Sequence, residues 1–570
     1  MFFLRQRRQR LLIAFAWLML ASCRAMSHHT SFADARSLIP LHPVGAPAAV
    51  TRSEISLAPP QACSNAFITH TLDHITQTHG EAVHQFETNG AGVAVNDLNN
   101  DGLLDIVFAN LNGNAEIFWN RGNLLFDKQI LDDYNTRAVN IVDVDGDGRM
   151  DIVFTHTASG LSIWHNEGAD GAQTRFVLRA PRGIAKPAYA MAWADLNGDG
   201  ALDVVTGSYD AELNLQQGSA FLFSDGAGVF YYAQRGASAT EFIPQRLAKA
   251  SQALAIALFD FNGDGKRDIV VGNDFEMRDM AWRNANGNWQ AAEPFSRTSE
   301  QTMSLDWGDI DNNGNPALFA TDMKPYDIGV ETLAKWLPMM STQTRHLPES
   351  DPQRMENVLQ VYGADGQFHN AAQARGVSAT GWSWSGKFGD LNNDGFLDLY
   401  VVNGMINADL LHYLPNDELV EENQALRNQG DGTFVLAPEW KLGSTASGRG
   451  MSMADLNNDG RLDIVVNNLR SPAQLFENQI CNGNALEVDL RETQRANRFA
   501  IGAQLILRTS AGTYTRDVRA SSGYLSGDAT RVHFGIPKNA TLEKLDVIWD
   551  DGSVSTTDKL NVNTLLTLTR

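Results

Sequence analysis

One nine-residue pattern recurs seven times along the chain: acids or amides at every second position, then Gly, then a closing Asp. DLNNDGLLD at 97 returns as DVDGDGRMD at 143, DLNGDGALD at 195, DFNGDGKRD at 260, DIDNNGNPA at 309, DLNNDGFLD at 390 and DLNNDGRLD at 455. Recurrence at intervals of 46 to 81 residues points to a ring or stack of like units, because a single unit cannot bury its own apolar face.

Strand signals flank each copy. Runs such as GVAVN and AIALF precede it, and IVF, VVT or LYV follow. The pattern therefore sits in a β-hairpin loop. That excludes a helix start, and it excludes an EF-hand, whose helix-flanked loop closes on Glu at position 12. Here position 12 holds residues such as Phe108, Thr206 or Val466.

In a tight loop the side chains at positions 1, 3 and 5 turn inward together. Gly at 6 permits the turn, and the Asp at 9 returns a carboxylate. Six to eight hard oxygens at adaptable geometry suit Ca²⁺, whereas Mg²⁺ resists losing its water. The expected ligands are Asp97, Asn99, Asp101 and Asp105 in the first loop, Asp143, Asp145, Asp147 and Asp151 in the second, and Asp195, Asn197, Asp199 and Asp203 in the third. Asp260, Asn262, Asp264 and Asp268 serve the fourth, Asp390, Asn392, Asp394 and Asp398 the sixth, and Asp455, Asn457, Asp459 and Asp463 the seventh. The fifth keeps Asp309, Asp311 and Asn313 but has Ala317 at the closing position, so that site is expected to be weak or empty. About six calcium ions per chain follow.

The loops hold about a third of the chain's 67 acidic residues. The net charge of −22 argues against nucleic acid, which needs a basic surface. Bound cations would return part of that charge.

The N-terminus reads as a targeting segment. Four arginines in MFFLRQRRQR precede the apolar run LLIAFAWLML and then ASC. Leu20-Ala21-Ser22-Cys23 resembles the lipobox of bacterial lipoproteins, in which the Cys is lipidated; an ordinary secretory signal is the alternative. Arg24 at the next position favours the outer membrane by that resemblance. Residues 1–22 are thus expected to be a signal peptide and 23–60 a linker rich in Ser, Ala and Pro.

Beyond each loop lies an apolar strand, a turn with Asn or Asp and Gly, and usually an aromatic, as in FLFSDGAGVF. This predicts the hairpin joining strands three and four of a four-stranded blade. After the seventh loop the pattern stops at QLFENQIC, and NAFITHTLDHI at 65–75 can supply the missing strand. Closing the ring in this way removes open edges. With Cys23 used by lipid, Cys63 and Cys481 flank that junction, and a disulfide between them is expected; two separate buried thiols are the alternative. Such a bridge would contribute on the order of 5 kcal/mol in the chain-entropy account.

These repeats resemble FG-GAP/VCBS propeller repeats, known from integrin α-subunit heads. The segment NRFAIGAQLILRTSAGTYTRDVRASSGYLSGDATRVHFGI with LDVIWDDGS is similar to the ASPIC/UnbV domain, which follows such propellers in the cartilage acidic protein family. The resemblance implies an all-β fold. A seven-bladed propeller over 61–481 would carry insertions at 322–356 and 404–422, both helical in pattern, and an ASPIC/UnbV domain would span 482–570. It implies an exported, calcium-binding protein acting in adhesion or scaffolding. With the lipobox, the expectation is a cell-surface lipoprotein that acts as a binding, adhesion or scaffolding module. Its partner would be a protein or glycan, it would be a monomer, and the membrane would be reached through the lipid alone. Because some calcium propellers are lyases or alkylating enzymes, the alternative is an enzyme with its site in the central channel.

The insertions carry Tyr326, His346, His412 and Tyr413 and could cap that channel or simply pack on the ring. His70, His74, His79 and His84 invite a zinc reading, against which their strand and loop placement favours packing. No GxSxG, HExxH or phosphate loop occurs in a convincing context.

Overall fold

A computed structural model describes residues 37–570 except 171–172, 223–226, 236–240, 276, 344–346 and 349. The signal-peptide segment, Cys23 and His346 lie outside the described residues.

Each copy of the pattern closes a hairpin between the first and second strands of a four-stranded antiparallel sheet. The first sheet runs Val93–Asn96, Asp105–Phe108, Asn114–Asn120 and Phe126–Tyr134. Its first strand is fully buried and its fourth alternates buried with exposed residues, as expected of an element that runs from a packed axis to a wet rim. Among the described residues seven such sheets follow one another, their first strands being Val93–Asn96, Val139–Val142, Ala190–Ala194, Ala253–Phe259, Ser304–Gly308, Gly381–Gly389 and Gly448–Ala454. These strands gather around a common axis, and the first packs against the seventh. The fold is an all-β propeller.

The seventh sheet takes its outer strand from the N-terminal side: Phe67–Ile75 pairs antiparallel with Pro472–Asn478. A Cys63–Cys481 disulfide staples this junction.

The C-terminal segment forms two four-stranded sheets. One combines Gly483–Arg491, Val532–Pro537 and Thr564–Thr569 with Thr51–Ser56. The other holds Gln504–Thr509, Gly512–Asp517, Leu542–Ile548 and Val554–Thr557. Leu486, Val488, Leu505, Leu507, Val547 and Leu566 share their core. Residues 37–60 are therefore not a free linker. Leu38 and Ile39 are buried, Ile39 donates to Gly314 O, and Thr51–Ser56 is an edge strand of the C-terminal sheet. Alternation in TRSEIS is too weak to read as a strand until a partner edge is known.

The insertions are only partly as expected. Val330–Gln343 is a helix, anchored by Trp336, whose Nε1 donates to Glu421 (3.1 Å). Residues 404–422 hold one α-helical turn, Ala408–Leu411, a 3-10 turn, Pro415–Asp417, and a two-residue ladder, Met405–Ile406 with Glu418–Leu419. An additional helix, Asp210–Gln217, occurs in the third sheet.

The C-terminal domain also fills the propeller axis. Its hairpin, Ser521–Ser522 and Ser526–Gly527, joins the first sheet by parallel pairing of Ala94 with Gly527. Gly523 donates to Leu305 O (2.8 Å) and Val139 to Leu525 O (3.2 Å). Tyr524 N–H donates to Ser385 Oγ and Met451 N–H to Ser526 Oγ, each at 3.2 Å. The central channel expected of an open ring is thus occupied. Small residues make the fit possible, since a Cβ on Gly92 would fall 2.2 Å from Leu525 O and one on Gly527 2.7 Å from the Ala94 Cβ.

Candidate metal centres

Seven loops built alike stand on one face of the ring. At position 1 the Asp accepts backbone N–H groups from positions 5 and 6: Asp97 from Asp101 (3.1 Å) and Gly102 (2.9 Å), and Asp455 from Asp459 (3.0 Å) and Gly460 (2.6 Å). Gly at position 6 is left-handed throughout, with φ of 88° at Gly102 and 81° at Gly460, a conformation that costs Gly nothing. Position 4 is also left-handed, which accounts for its being Asn or Gly in every copy, as at Asn100, Gly146 and Asn458.

The closing Asp is the deepest group. Both oxygens of Asp463 accept backbone N–H, from Leu456 (3.1 Å) and Asn478 (2.8 Å). Asp105, Asp151, Asp203, Asp268 and Asp398 repeat this arrangement. The strand-three residue that donates to it is an amide in each of these six sheets: Asn120, Asn166, Gln234, Asn284, Asn428 and Asn478. Its side chain donates in turn to the second residue of the preceding sheet's loop. Asn166 reaches Leu98 O (2.7 Å), Gln234 reaches Val144 O (2.7 Å), and Asn120 closes the ring on Leu456 O (2.8 Å). This sheet-to-sheet relay escaped the reading of the sequence. Its signal is an Asn or Gln late in the third strand, as in FWN, WHN and FEN.

The donor set fits a hard divalent cation. Asp143, Asp145 and Asp147 bring one carboxylate oxygen each within 4.8 Å of one another, and Asp145 Oδ1 is buried without a hydrogen-bond partner. Burial pushes the carboxyls of Asp105 and Asp143 up to about 8, and those of Asp203, Asp268, Asp390 and Asp455 to about 7. Neighbouring carboxylates add to this, and backbone N–H bonds only partly offset it. A divalent cation would supply the positive charge that keeps such a group ionised. Asn99 and Asn392 each donate to the position-5 Asp carboxylate (2.9 Å) and accept that residue's backbone N–H on their amide oxygen (3.0 and 2.9 Å).

The fifth loop differs from the others. Asp309 accepts from Asn313, Gly314 and Thr515 Oγ1 (2.8 Å), and Asp311 is paired with Arg375 (3.0 Å). Leu38 donates to Asn315 Oδ1 (2.7 Å). Protein groups thus compensate this loop's charge. In the second loop His165, 2% exposed, lies 3.5 Å from both Asp145 and Asp151. Burial depresses its imidazole, but the two carboxylates outweigh this and raise it to about 9. The sequence reading did not single out His165.

The C-terminal domain covers this face. Arg531 donates to Gly102 O and Asn458 Oδ1, Arg498 to Gly146 O, Arg495 to Asp195 (2.7 Å), and His533 Nε2 lies 3.2 Å from Gly460 O. From the ring, Arg267 pairs with Asp517 (2.7 Å). Gly535 backs onto Asp390, where a Cβ would fall 2.1 Å from Oδ2. At the axis Arg519 binds Asp306 (2.7 Å) and stacks over Trp307, while Lys387 pairs with Asp528.

The four histidines do not form a cluster. His74 is buried against Phe108 and bonded to Glu116 (2.6 Å), His70 pairs with Glu477 and His84 with Asp409. On the insertions Tyr413 donates to Lys335 O (2.7 Å) and stacks edge-on with His412. Tyr326 is 41% exposed.

Comparison with protein families agrees with the architecture. Residues 97–154, 143–206, 260–320, 352–401 and 411–466 match the FG-GAP-like repeat, and 493–570 match ASPIC and UnbV. The chain is similar to cartilage acidic protein 1 of Homo sapiens, 30% identical over 177 residues, which span 29% of this chain and 24% of that protein. The Mus musculus protein is 32% identical over 143 residues, 24% and 20% of the two chains. Among solved structures, BBS1N in complex with ARL6DN overlaps with a TM-score of 0.41 at 10% identity, covering 72% of this chain and 96% of that one. The Neurospora crassa Pan2 WD40 domain overlaps with a TM-score of 0.37 at 7% identity, covering 74% and 98%.

Proposed function

The chain is an FG-GAP-repeat propeller protein with a C-terminal ASPIC/UnbV domain, and from that premise we propose that it is an exported binding and scaffolding module held rigid by calcium. About six Ca²⁺ ions would sit in loops one to four, six and seven, on the acids and amides at positions 1, 3, 5 and 9. In each the ion would replace carboxylate repulsion by shared attraction and hold two strands in register. Lipid on Cys23 would tether the module at the outer-membrane or cell surface. A Cys63–Cys481 disulfide supports export, since such bonds persist in oxidising compartments. Among the described residues no helix is long and apolar enough to cross a membrane.

The observation that carries the binding reading is the filled axis. Tyr524 is fully buried among the inner strands, and the C-terminal domain seats on the loop face, leaving between them a cavity of about 110 Å³, small for a substrate site. Exposed apolar side chains gather instead on the first insertion, at Ile328 (82%), Val330 (88%) and Leu337 (54%). Its helix packs through Trp336 on Glu421, beside the exposed Val420. Such a surface suits a protein or glycan partner better than a small-molecule reaction.

Bound calcium per chain and the melting temperature before and after chelation test the calcium reading. About six ions and a fall of about 10 °C or more are expected; fewer than three ions, or an unchanged melting temperature, refutes it. Binding to arrays of extracellular proteins and glycans tests the partner reading. Ile328→Asp with Leu337→Asp should abolish capture while leaving the melting temperature unchanged.

A further inference from the structure

The second loop differs from its siblings by a nitrogen. His165 stands on the third strand of its sheet, Ser162–Asp170, one residue before the relay amide Asn166. At the same position the other sheets carry Trp119, Ala233, Arg283, Arg427 and Glu477, and Glu477 turns to His70. The His165 Nδ1 atom is buried, makes no hydrogen bond, and points between two carboxylates at 3.5 Å from each. Asp145, Asp151 and His165 each place one donor atom within 4.8 Å of the other two.

The two 3.5 Å separations match edges of a small coordination shell. Bonds of about 2.1 Å in a tetrahedral arrangement put neighbouring donors about 3.4 Å apart. Calcium takes oxygen at 2.3–2.6 Å and gains little from an imidazole, whereas imidazole beside carboxylate suits a first-row transition ion. Asp145 Oδ1, also buried and without a hydrogen bond, keeps a further lone pair for the same ion.

We propose that the second loop is a site for a divalent transition cation of the zinc class, held by His165 Nδ1 with Asp145 and Asp151. The proposal rests on the reading that the loops hold metal, and it makes one loop chemically distinct from the rest. The competing occupant is the imidazole itself, protonated and acting as the loop's own counter-charge.

The test uses the full chain, stripped with chelator, reloaded with calcium and zinc together, then dialysed against calcium alone. Both metals are counted per chain. About one zinc should survive in the wild type and be lost in His165→Asn, with the calcium count rising by about one. Asp145→Asn, at a less buried ligand, gives the same reading if the histidine variant fails to fold. A wild type that keeps its calcium but no zinc overturns this proposal and leaves the calcium reading standing. Zinc retained undiminished by both variants also overturns it, by placing that ion elsewhere. Retention of neither metal overturns the reading of the loops on which it depends.

Discussion

At the residue scale the closing Asp of the six complete loops bears the largest single load. Asp463 satisfies two buried N–H groups from different strands and lies fully buried. Asp463→Ala strands both donors, so a loss of about 3–5 kcal/mol is expected. Asn457→Ala, on the outer part of the same loop, should cost about 1 kcal/mol or less in calcium-free buffer. Urea denaturation of the two variants measures the contrast. A second residue sets a pH dependence away from the loops. Burial pushes the Glu421 carboxyl up to about 7, against bonds from Trp382 N (2.7 Å) and Trp336 Nε1. Its folded value exceeds the unfolded one near 4.5, so its favourable contribution is complete below about pH 4.5 and is lost as pH rises through 7. The loss is on the order of 3 kcal/mol. Glu421→Gln should therefore flatten stability between pH 5 and 8 when calcium is saturating. An unchanged pH profile would show that another group governs it. The loop carboxylates were legible because their spacing repeats seven times. Asn166, Gln234 and His165 were not, because each lies a variable distance downstream and acquires its meaning only from a neighbouring strand.

At the element scale, the hairpins announced themselves through β-branched runs on either side of each loop. The Ser521–Gly527 hairpin did not. Its sequence, SSGYLSG, has the composition of a surface turn, and small residues in a turn and small residues in a narrow axis look alike. What distinguishes them is the opposing strand, where Gly92 and Gly450 make room. Gly92→Ala places a Cβ 2.2 Å from a backbone oxygen that cannot rotate away. A loss of about 1–3 kcal/mol is expected from overpacking, with no effect on the number of calcium ions bound. Thr51–Ser56 is a similar case. Its edge is supplied by Thr564–Thr569, more than 500 residues away in sequence, beyond the reach of any local pattern.

At the scale of the whole molecule two devices hold the ring, and they should fail differently. The disulfide joins the segment after the seventh sheet's third strand, Pro472–Asn478, to the segment before its N-terminal outer strand, Phe67–Ile75, and Cys481 Sγ lies 3.2 Å from Arg461 of the seventh loop. Its loss, as Cys63→Ser with Cys481→Ser, should cost on the order of 5 kcal/mol while the domain stays seated. The loops are coupled to that domain directly, through Arg495 on Asp195, Thr515 on Asp309 and Gly535 against Asp390. Removing calcium would let buried carboxylates repel or take up protons, and the loop backbones that receive Arg498, Arg531 and His533 would shift with them. Chelation is therefore expected to expose the chain between 482 and 570 to limited proteolysis at temperatures well below global unfolding. The disulfide-free variant kept in calcium should resist cleavage there until it melts. Equal protection of this segment with and without chelator would separate the metal from the docking of the domain. The arginine contacts alone would then have to hold it.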